Sequence, residues 1–322
     1  MRHPFSGLSG LFVFLIAAAL PLRAQTPTDG LMMSKGAFCA AAVYSGSQWK
    51  EYWEGTNFRS SPNLGTVSNQ NIMLMGALGI TDRLNAIVAL PYVKTNASAS
   101  YLAGQRGFQD VSVWLKYRVV KQAMLSGTFS TFVTGGVSAP TANYVADFLP
   151  LSIGMRSKTA SARLIADYYH KSGLYVTAQA GYTRRSNVRI DRDSYLFDNR
   201  MYYTNEVQVP DMADGTARLG FRNARFQTDV WIDRFAGLSG DDIRYNEMPF
   251  LTNAMKATTL GWYGRYNIKD FSVTGGLSRV VAGRNVGQGT GFSVGVLYAF
   301  RVFGHGECRK PTGMAAEPEP EN

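Results

Sequence analysis

Apolar and polar positions alternate with period two along most of the chain, most cleanly over Ala224 to Phe235 (ARFQTDVWIDRF). Phe226, Thr228, Val230 and Ile232 fall on one face there, and Arg225, Gln227, Asp229, Trp231 and Asp233 on the other. Val111, Val113, Leu115, Tyr117 and Val119 separate in the same way from Asp110, Ser112, Trp114, Lys116 and Arg118. A helix would mix these sets, whereas a strand keeps them apart. Followed through the chain, the pattern predicts twelve strands, at 37–49, 69–80, 83–95, 107–119, 125–138, 159–170, 173–185, 213–221, 224–235, 256–267, 270–282 and 289–301. Short links at Thr81-Asp82, Val120 to Met124, Lys171-Ser172, Arg222-Asn223 and Ile268-Lys269 take turns with long ones at roughly 50–68, 96–106, 139–158, 186–212, 236–255 and 283–288. An even strand count with short turns on one rim and long loops on the other marks a transmembrane barrel; a soluble sandwich or propeller has no reason to sort its connections by parity. The fold class predicted is all-β, an antiparallel transmembrane β-barrel over 37–303.

The ends of the chain agree with that class. Arg2 and His3 precede the apolar run Leu11 to Leu20, followed by Pro21 and the small residue Ala24, the layout of a secretory signal peptide over 1–24. The run is half the length of about 20 residues that a spanning helix needs. No later segment is apolar enough to span as a helix, which leaves a closed barrel as the way to cross a membrane. Outward-phase Tyr117, Tyr168, Phe221, Phe226, Tyr266, Phe271 and Phe300 lie near the short-turn rim, and Tyr92, Tyr182 and Phe292 near the other, as interfacial rings do. Residues 25–36 form a short N-terminal segment, too short for a separate plug domain. The tail 304–322, with Pro311, Pro318, Pro320 and the acids Glu317, Glu319 and Glu321, lacks the apolar content to fold. The expected location is the outer membrane of a Gram-negative-type bacterium, with both termini periplasmic.

Composition narrows the chemistry. The formal charge of +10 falls to +8 without the first 24 residues, which carry Arg2 and Arg23 and no acid. That mild excess is no nucleic-acid footprint. Three histidines and two cysteines are a poor inventory for catalysis or metal binding, and no cofactor is expected. His3 lies in the signal, His170 at a short turn and His305 in the tail, so none sits at the outer rim where a barrel hydrolase would need its base. Gly287-Gln288-Gly289-Thr290-Gly291 has no helix after it and reads as a hairpin tip, not a phosphate loop. Inward-phase charges are Asp110, Lys116, Arg118, Arg163, Asp167, Arg218, Arg225, Asp229, Asp233 and Arg265. Such charges leave either a thin polar channel or an interior closed by salt bridges, and their basic excess favours anions. In the long loops, Phe148, Tyr195, Phe197, Tyr202 and Tyr203 are candidates for an apolar capture site at the mouth, with loop-to-loop packing as the alternative. Cys39 and Cys308 fall on the same rim, beside the first and last strands, and are either bridged or two free thiols.

The last strand, Gly291 to Phe300 (GFSVGVLYAF), carries Ser293, Gly295, Tyr298 and Phe300, a pattern that resembles the assembly signal of bacterial outer-membrane proteins. The chain departs from many of these by continuing for 22 residues, Arg301 to Asn322. Further blocks are Gly79-Ile80-Thr81-Asp82-Arg83-Leu84, Leu90-Pro91-Tyr92, Gly107-Phe108-Gln109-Asp110 leading into Trp114-Leu115-Lys116-Tyr117-Arg118, and Ala282-Gly283-Arg284-Asn285. Taken in order, they resemble the outer-membrane transporter family associated with the meta pathway of phenol degradation. Where relatives tend to have Gly-Asp near position 110, this chain has Gln109-Asp110. The resemblance implies a passive channel or uptake protein for a small solute, often aromatic or hydrophobic, with outer-membrane lipid and the barrel-assembly machinery as partners. A structural or interaction barrel with a closed lumen is the alternative, and a barrel enzyme the third.

Overall fold

The computed structural model describes residues 25–60, 62–99, 101–245 and 247–303. The signal segment, His305, Cys308 and the tail lie outside the described residues. Twelve long strands follow one another: β1 (Ala37–Trp49), β2 (Val67–Gly79), β3 (Leu84–Ala97), β4 (Asp110–Met124), β5 (Gly127–Pro140), β6 (Thr159–His170), β7 (Leu174–Arg185), β8 (Met212–Arg222), β9 (Phe226–Gly237), β10 (Lys256–Ile268), β11 (Phe271–Arg284) and β12 (Thr290–Arg301). Each pairs antiparallel with the next, and β1 pairs with β12 from Ala37↔Arg301 to Gln48↔Thr290, closing the barrel. Closure leaves no edge with unpaired backbone groups, as a lipid environment demands.

The burial pattern is inverted relative to a soluble protein. Leu164, Leu219 and Leu277 face outward and are 57–59% exposed, while Lys116 and Asp229 face inward and are at most 2% exposed. Along β4 and β9 period two sets outward Leu, Val, Ile and Phe against mostly polar inward residues, so both solvents are served by one strand. Among the described residues no helix is long and apolar enough to span a membrane.

Two departures from the predicted strands have identifiable causes. β4 continues to Met124 and turns at Leu125-Ser126, because a bulge between Arg118 and Val120 shifts the side-chain phase and hides the continuation. The strand expected to begin at 107 is broken at Gln109, with Arg106–Phe108 pairing separately against Tyr92–Lys94. Pro91 stands opposite that break; it has no N–H for the ladder, and its carbonyl accepts from Gln109 N at 2.9 Å.

The Gly79-to-Leu84 block is turn chemistry. Thr81 Oγ1 accepts from Arg83 N at 3.1 Å and Leu84 N at 2.9 Å, which reverses the chain within four residues.

Candidate functional site

The lumen is divided into a packed sector and an open one. On the packed side, residues 25–34 run inside the barrel instead of outside it. Lys116, fully buried on β4, donates to Asp29 Oδ1 at 2.8 Å and to the carbonyls of Thr26 and Asp29, so all three ammonium protons are satisfied. Thr134 Oγ1 donates to Pro27 O at 3.3 Å, and the Asn85 and Gln25 amides hydrogen-bond to one another. Glycine is required at Gly30, where a methyl group would lie 2.2 Å from Asp167 Oδ1. At the short-turn end, Met33 packs with Ala37, Cys39, Ala77, Ile87 and Ala299 in an apolar floor. Short as it is, the N-terminal segment acts as a plug.

Ion pairs along β6 to β9 line the rest of this sector, around a second cavity of about 360 Å³ bordered by Arg163, Gln179, Asp214, Thr216 and Asp233. Asp167 accepts from Arg222 Nη2 and Thr177 Oγ1, both at 2.6 Å, and the Arg222 guanidinium stacks over Tyr169 and Tyr175. Asp229 accepts from the Tyr175 hydroxyl at 2.5 Å and lies 3.5 Å from Arg218 Nη1. Arg163 pairs with Asp214 at 3.3 Å, and Thr216 donates to Asp233 at 2.6 Å. These groups are buried together because an isolated charge in such a place costs several kcal/mol.

The opposite sector is built from small residues. Across β10, β11, β12, β1 and β2, one rung of the inner wall reads Tyr263, Gly276, Ser293, Ser45, Asn71, and the next Gly261, Ser278, Gly291, Ser47, Asn69. With so little side-chain volume the wall stands back and leaves a cavity of about 580 Å³. It runs beside β1 from Ser47 to Cys39, roughly 26 Å of strand at ~3.3 Å per residue. Trp231, Tyr263, Met75 and Leu297 give it apolar surface, and Asn69, Asn71, Gln227, Arg218 and Arg265 give it polar groups. A volume of this size drawn out over that length is a narrow cavity, ending beside the apolar floor at Cys39 and Leu297.

The mouth is roofed by loops. Thr95 Oγ1 donates to Leu151 O at 2.5 Å, and the Tyr144 hydroxyl to Asp110 Oδ1 at 2.6 Å, drawing 141–158 inward against β3 and β4. Burial and the Asp110 carboxylate together push the Tyr144 phenol above its ordinary pKa. The Arg284-Asn285 pair ties two further loops. Asn285, in the left-handed region at φ 55° and 1% exposed, accepts from Gly55 N at 2.8 Å and Ile243 N at 3.0 Å, and donates to Asp242 Oδ1 and Ala254 O. Arg284 holds Asp242 through two bonds of 2.7 and 2.5 Å. Those bonds keep the Asp242 carboxyl below the usual carboxylate range despite the opposing effect of desolvation.

Lys116, Arg163, Asp167, Arg218, Asp229, Asp233 and Arg265 stand in the lumen. Three others lie away from the mid-lumen. Arg225 is exposed in the β8–β9 turn; Arg118 bonds Asp82 O at the short-turn rim; and Asp110 is held at the opposite end by Tyr144. With Arg222, Asp29 and Asp214 added, the mid-lumen set of described residues is Lys116, Arg163, Arg218, Arg222 and Arg265 against Asp29, Asp167, Asp214, Asp229 and Asp233. The expected basic excess is absent, and with it the reason for an anion preference.

Arg222 was legible, since it shares the phase of Arg218. Asp29 was not, because it lies on no strand.

None of Phe148, Tyr195, Phe197, Tyr202 and Tyr203 lines the cavity. Phe148 packs with Leu64, Val67, Ala97 and Leu151, while Tyr195 packs on the cluster of Ala146, Val188, Ile190, Val207, Val209 and Leu251. Phe197 meets Tyr202 edge-on within their own hairpin, and Tyr203 is exposed. Loop packing therefore accounts for all but Tyr203. Cys39 is a buried free thiol on the cavity wall. His170 Nδ1 accepts from Ser172 N at 3.1 Å within its turn.

The inverted burial, the closed ring of twelve strands and the half-filled lumen define a β-barrel of the bacterial outer-membrane type. The chain belongs to the family described as "Putative MetA-pathway of phenol degradation", which matches residues 76–295, as the turn and strand blocks imply. Among solved structures it is similar in fold to an outer membrane channel from Pseudomonas putida F1, with 15% identity, 86% of this chain and 100% of that one covered, and a TM-score of 0.66. Weaker similarities are to the NanC porin (10% identity, 80% and 98% covered, TM-score 0.47) and the translocator domain of the autotransporter NalP from Neisseria meningitidis (10%, 83% and 89%, 0.43). No curated protein matches the chain in sequence.

Proposed function

We propose that the protein is a narrow outer-membrane channel for small, uncharged or weakly polar solutes, aromatic compounds among them, and that it performs no covalent chemistry. The observation that carries this reading is the cavity along β10–β12 and β1–β2, which follows the strands for most of the barrel's height. Solute enters beneath the loop roof and passes the Ser45 and Ser47 rungs with Trp231 and Tyr263 on one side. It leaves past the Met33 floor when the N-terminal segment shifts. The family's association with phenol degradation supports an aromatic solute, as do the wall rings, and the matched charges in the lumen argue against selection for anions. The ends of the barrel at Ala37 and Arg301 lie at the short-turn rim, which on this reading faces the periplasm, and the β12 pattern Ser293, Gly295, Tyr298, Phe300 is assigned to recognition by the barrel-assembly machinery.

The Lys116–Asp29 lock and the Met33 floor favour a second reading, a barrel whose lumen stays closed and whose loops meet a partner. Flux into liposomes separates the two. The refolded mature protein is tested with phenol-sized neutral aromatics, small sugars and organic anions, beside a variant lacking residues 25–34. Aromatic flux that rises in the shortened variant supports the channel; no flux from either folded protein leaves the closed barrel.

A further inference from the structure

Charge is sorted by face in this barrel. Every acid carried by β1–β12, namely Asp110, Asp167, Asp214, Asp229 and Asp233, lies on the inward phase, whereas Lys94, Arg184, Arg234, Lys256 and Arg279 are outward and near the long-loop rim. Three of these cations converge on one patch. Arg234 on β9 stands opposite Thr258 on β10, Lys256 is two residues further along β10 on the same face, and Arg279 on β11 stands opposite Leu260. Strand spacing of ~4.8 Å and a rise of ~3.3 Å per residue place Arg234 and Arg279 roughly 12 Å apart across β10. Neither side chain has an ion pair or hydrogen bond among the described residues. Lys256 has no ion pair among the described residues, and the carboxylate near it, Asp242, is already held by Arg284. Directly below the patch the outward face is apolar, with Ile232, Leu260, Trp262, Leu277 and Phe292 all exposed.

Cations left unpaired where the apolar band of a membrane barrel ends lie at the depth of lipid headgroups and attract anionic ones. We propose that Arg234, Lys256 and Arg279 form a binding site for the phosphorylated headgroup of an outer-leaflet glycolipid, whose acyl chains lie along Leu260, Trp262, Leu277 and Phe292. Three cations spread over this span match a headgroup with two phosphates better than a phospholipid with one. The site rests on the outer-membrane, loops-outward reading and is independent of any flux.

The test is lipid retention by the full mature chain purified in neutral detergent, offered a diphosphorylated glycolipid, its monophosphorylated form or phosphatidylglycerol, and read by native mass spectrometry. Wild type is expected to retain the diphosphorylated lipid at least tenfold better than phosphatidylglycerol. The triple variant Arg234→Gln, Lys256→Gln, Arg279→Gln should lose this preference, while Lys94→Gln, Arg184→Gln, with the same loss of surface charge per site, should keep it. Heat-modifiable migration on gels reports that each variant is folded. Equal retention in the triple variant, or no preference over phosphatidylglycerol in wild type, would overturn the site; neither result bears on the channel.

Discussion

Arg222 shows how strongly one buried side chain is committed in this lumen. Its guanidinium bonds Asp167 and lies over two tyrosine rings, and the pair is 4–6% exposed. Removing it leaves the Asp167 carboxylate with Thr177 alone, so Arg222→Ala is expected to cost about 3–5 kcal/mol. Replacing both partners, Arg222→Met with Asp167→Leu, is expected to cost much less; urea unfolding in detergent micelles measures the difference. Asn285 is the corresponding residue outside the membrane. Asn285→Ala strips partners from the Gly55 and Ile243 amides and is expected to cost about 1–3 kcal/mol in the same measurement. Phase alone located Lys116, Asp167 and Asp229, because a strand's period fixes which face a side chain takes. It could not show Asp29 or the small-residue wall: the partner of Lys116 comes from an irregular segment, and a cavity is defined by volume that is missing rather than by any residue present.

At the scale of elements, most strand positions are legible in the sequence to within a few residues because membrane strands must alternate along their whole length. The failures fall where a local device breaks the period: the bulge after Arg118 and the Pro91–Gln109 interruption. The inward turn of residues 25–34 has no periodicity to read; it depends on Gly30 passing Asp167 and on Gly36, at φ 75°, turning between β1 and the lumen. Gly30→Leu is therefore expected to displace the segment and raise single-channel conductance in planar bilayers with the barrel intact; unchanged conductance would place the barrier elsewhere. The loop roof carries its own pH dependence. The Asp242 carboxyl is held below its unfolded value of about 4, so its contribution is present above that pH and is lost as pH falls through the lower folded value. Thermal unfolding followed from pH 7 to pH 2 should show wild type losing stability in the acid limb, and Asp242→Asn should flatten part of that loss. Because the pair with Arg284 is partly exposed, the effect is expected to stay within about 1 kcal/mol.

The whole molecule combines a half lined by paired charges with a half of glycine and serine, and that asymmetry gives the lumen a long cavity without making it a wide pore. Twelve strands enclose more than an eight-stranded barrel, whose side chains fill it, and less than a porin. Here the surplus is divided between the N-terminal segment and the cavity. With the lumen charges matched, current through the protein is expected to show a reversal potential near zero in a salt gradient, and a strong anion or cation preference would point to a path other than the one described. The decisive comparison is aromatic solute flux into liposomes by wild type, Ser45→Trp and Arg225→Ala, all shown to be folded by heat-modifiable migration. Ser45 faces the middle of the cavity and Arg225 lies outside the lumen. Flux abolished by Ser45→Trp and kept by Arg225→Ala is the expected result. Flux that survives an indole at position 45, or none in wild type, would contradict passage along this wall.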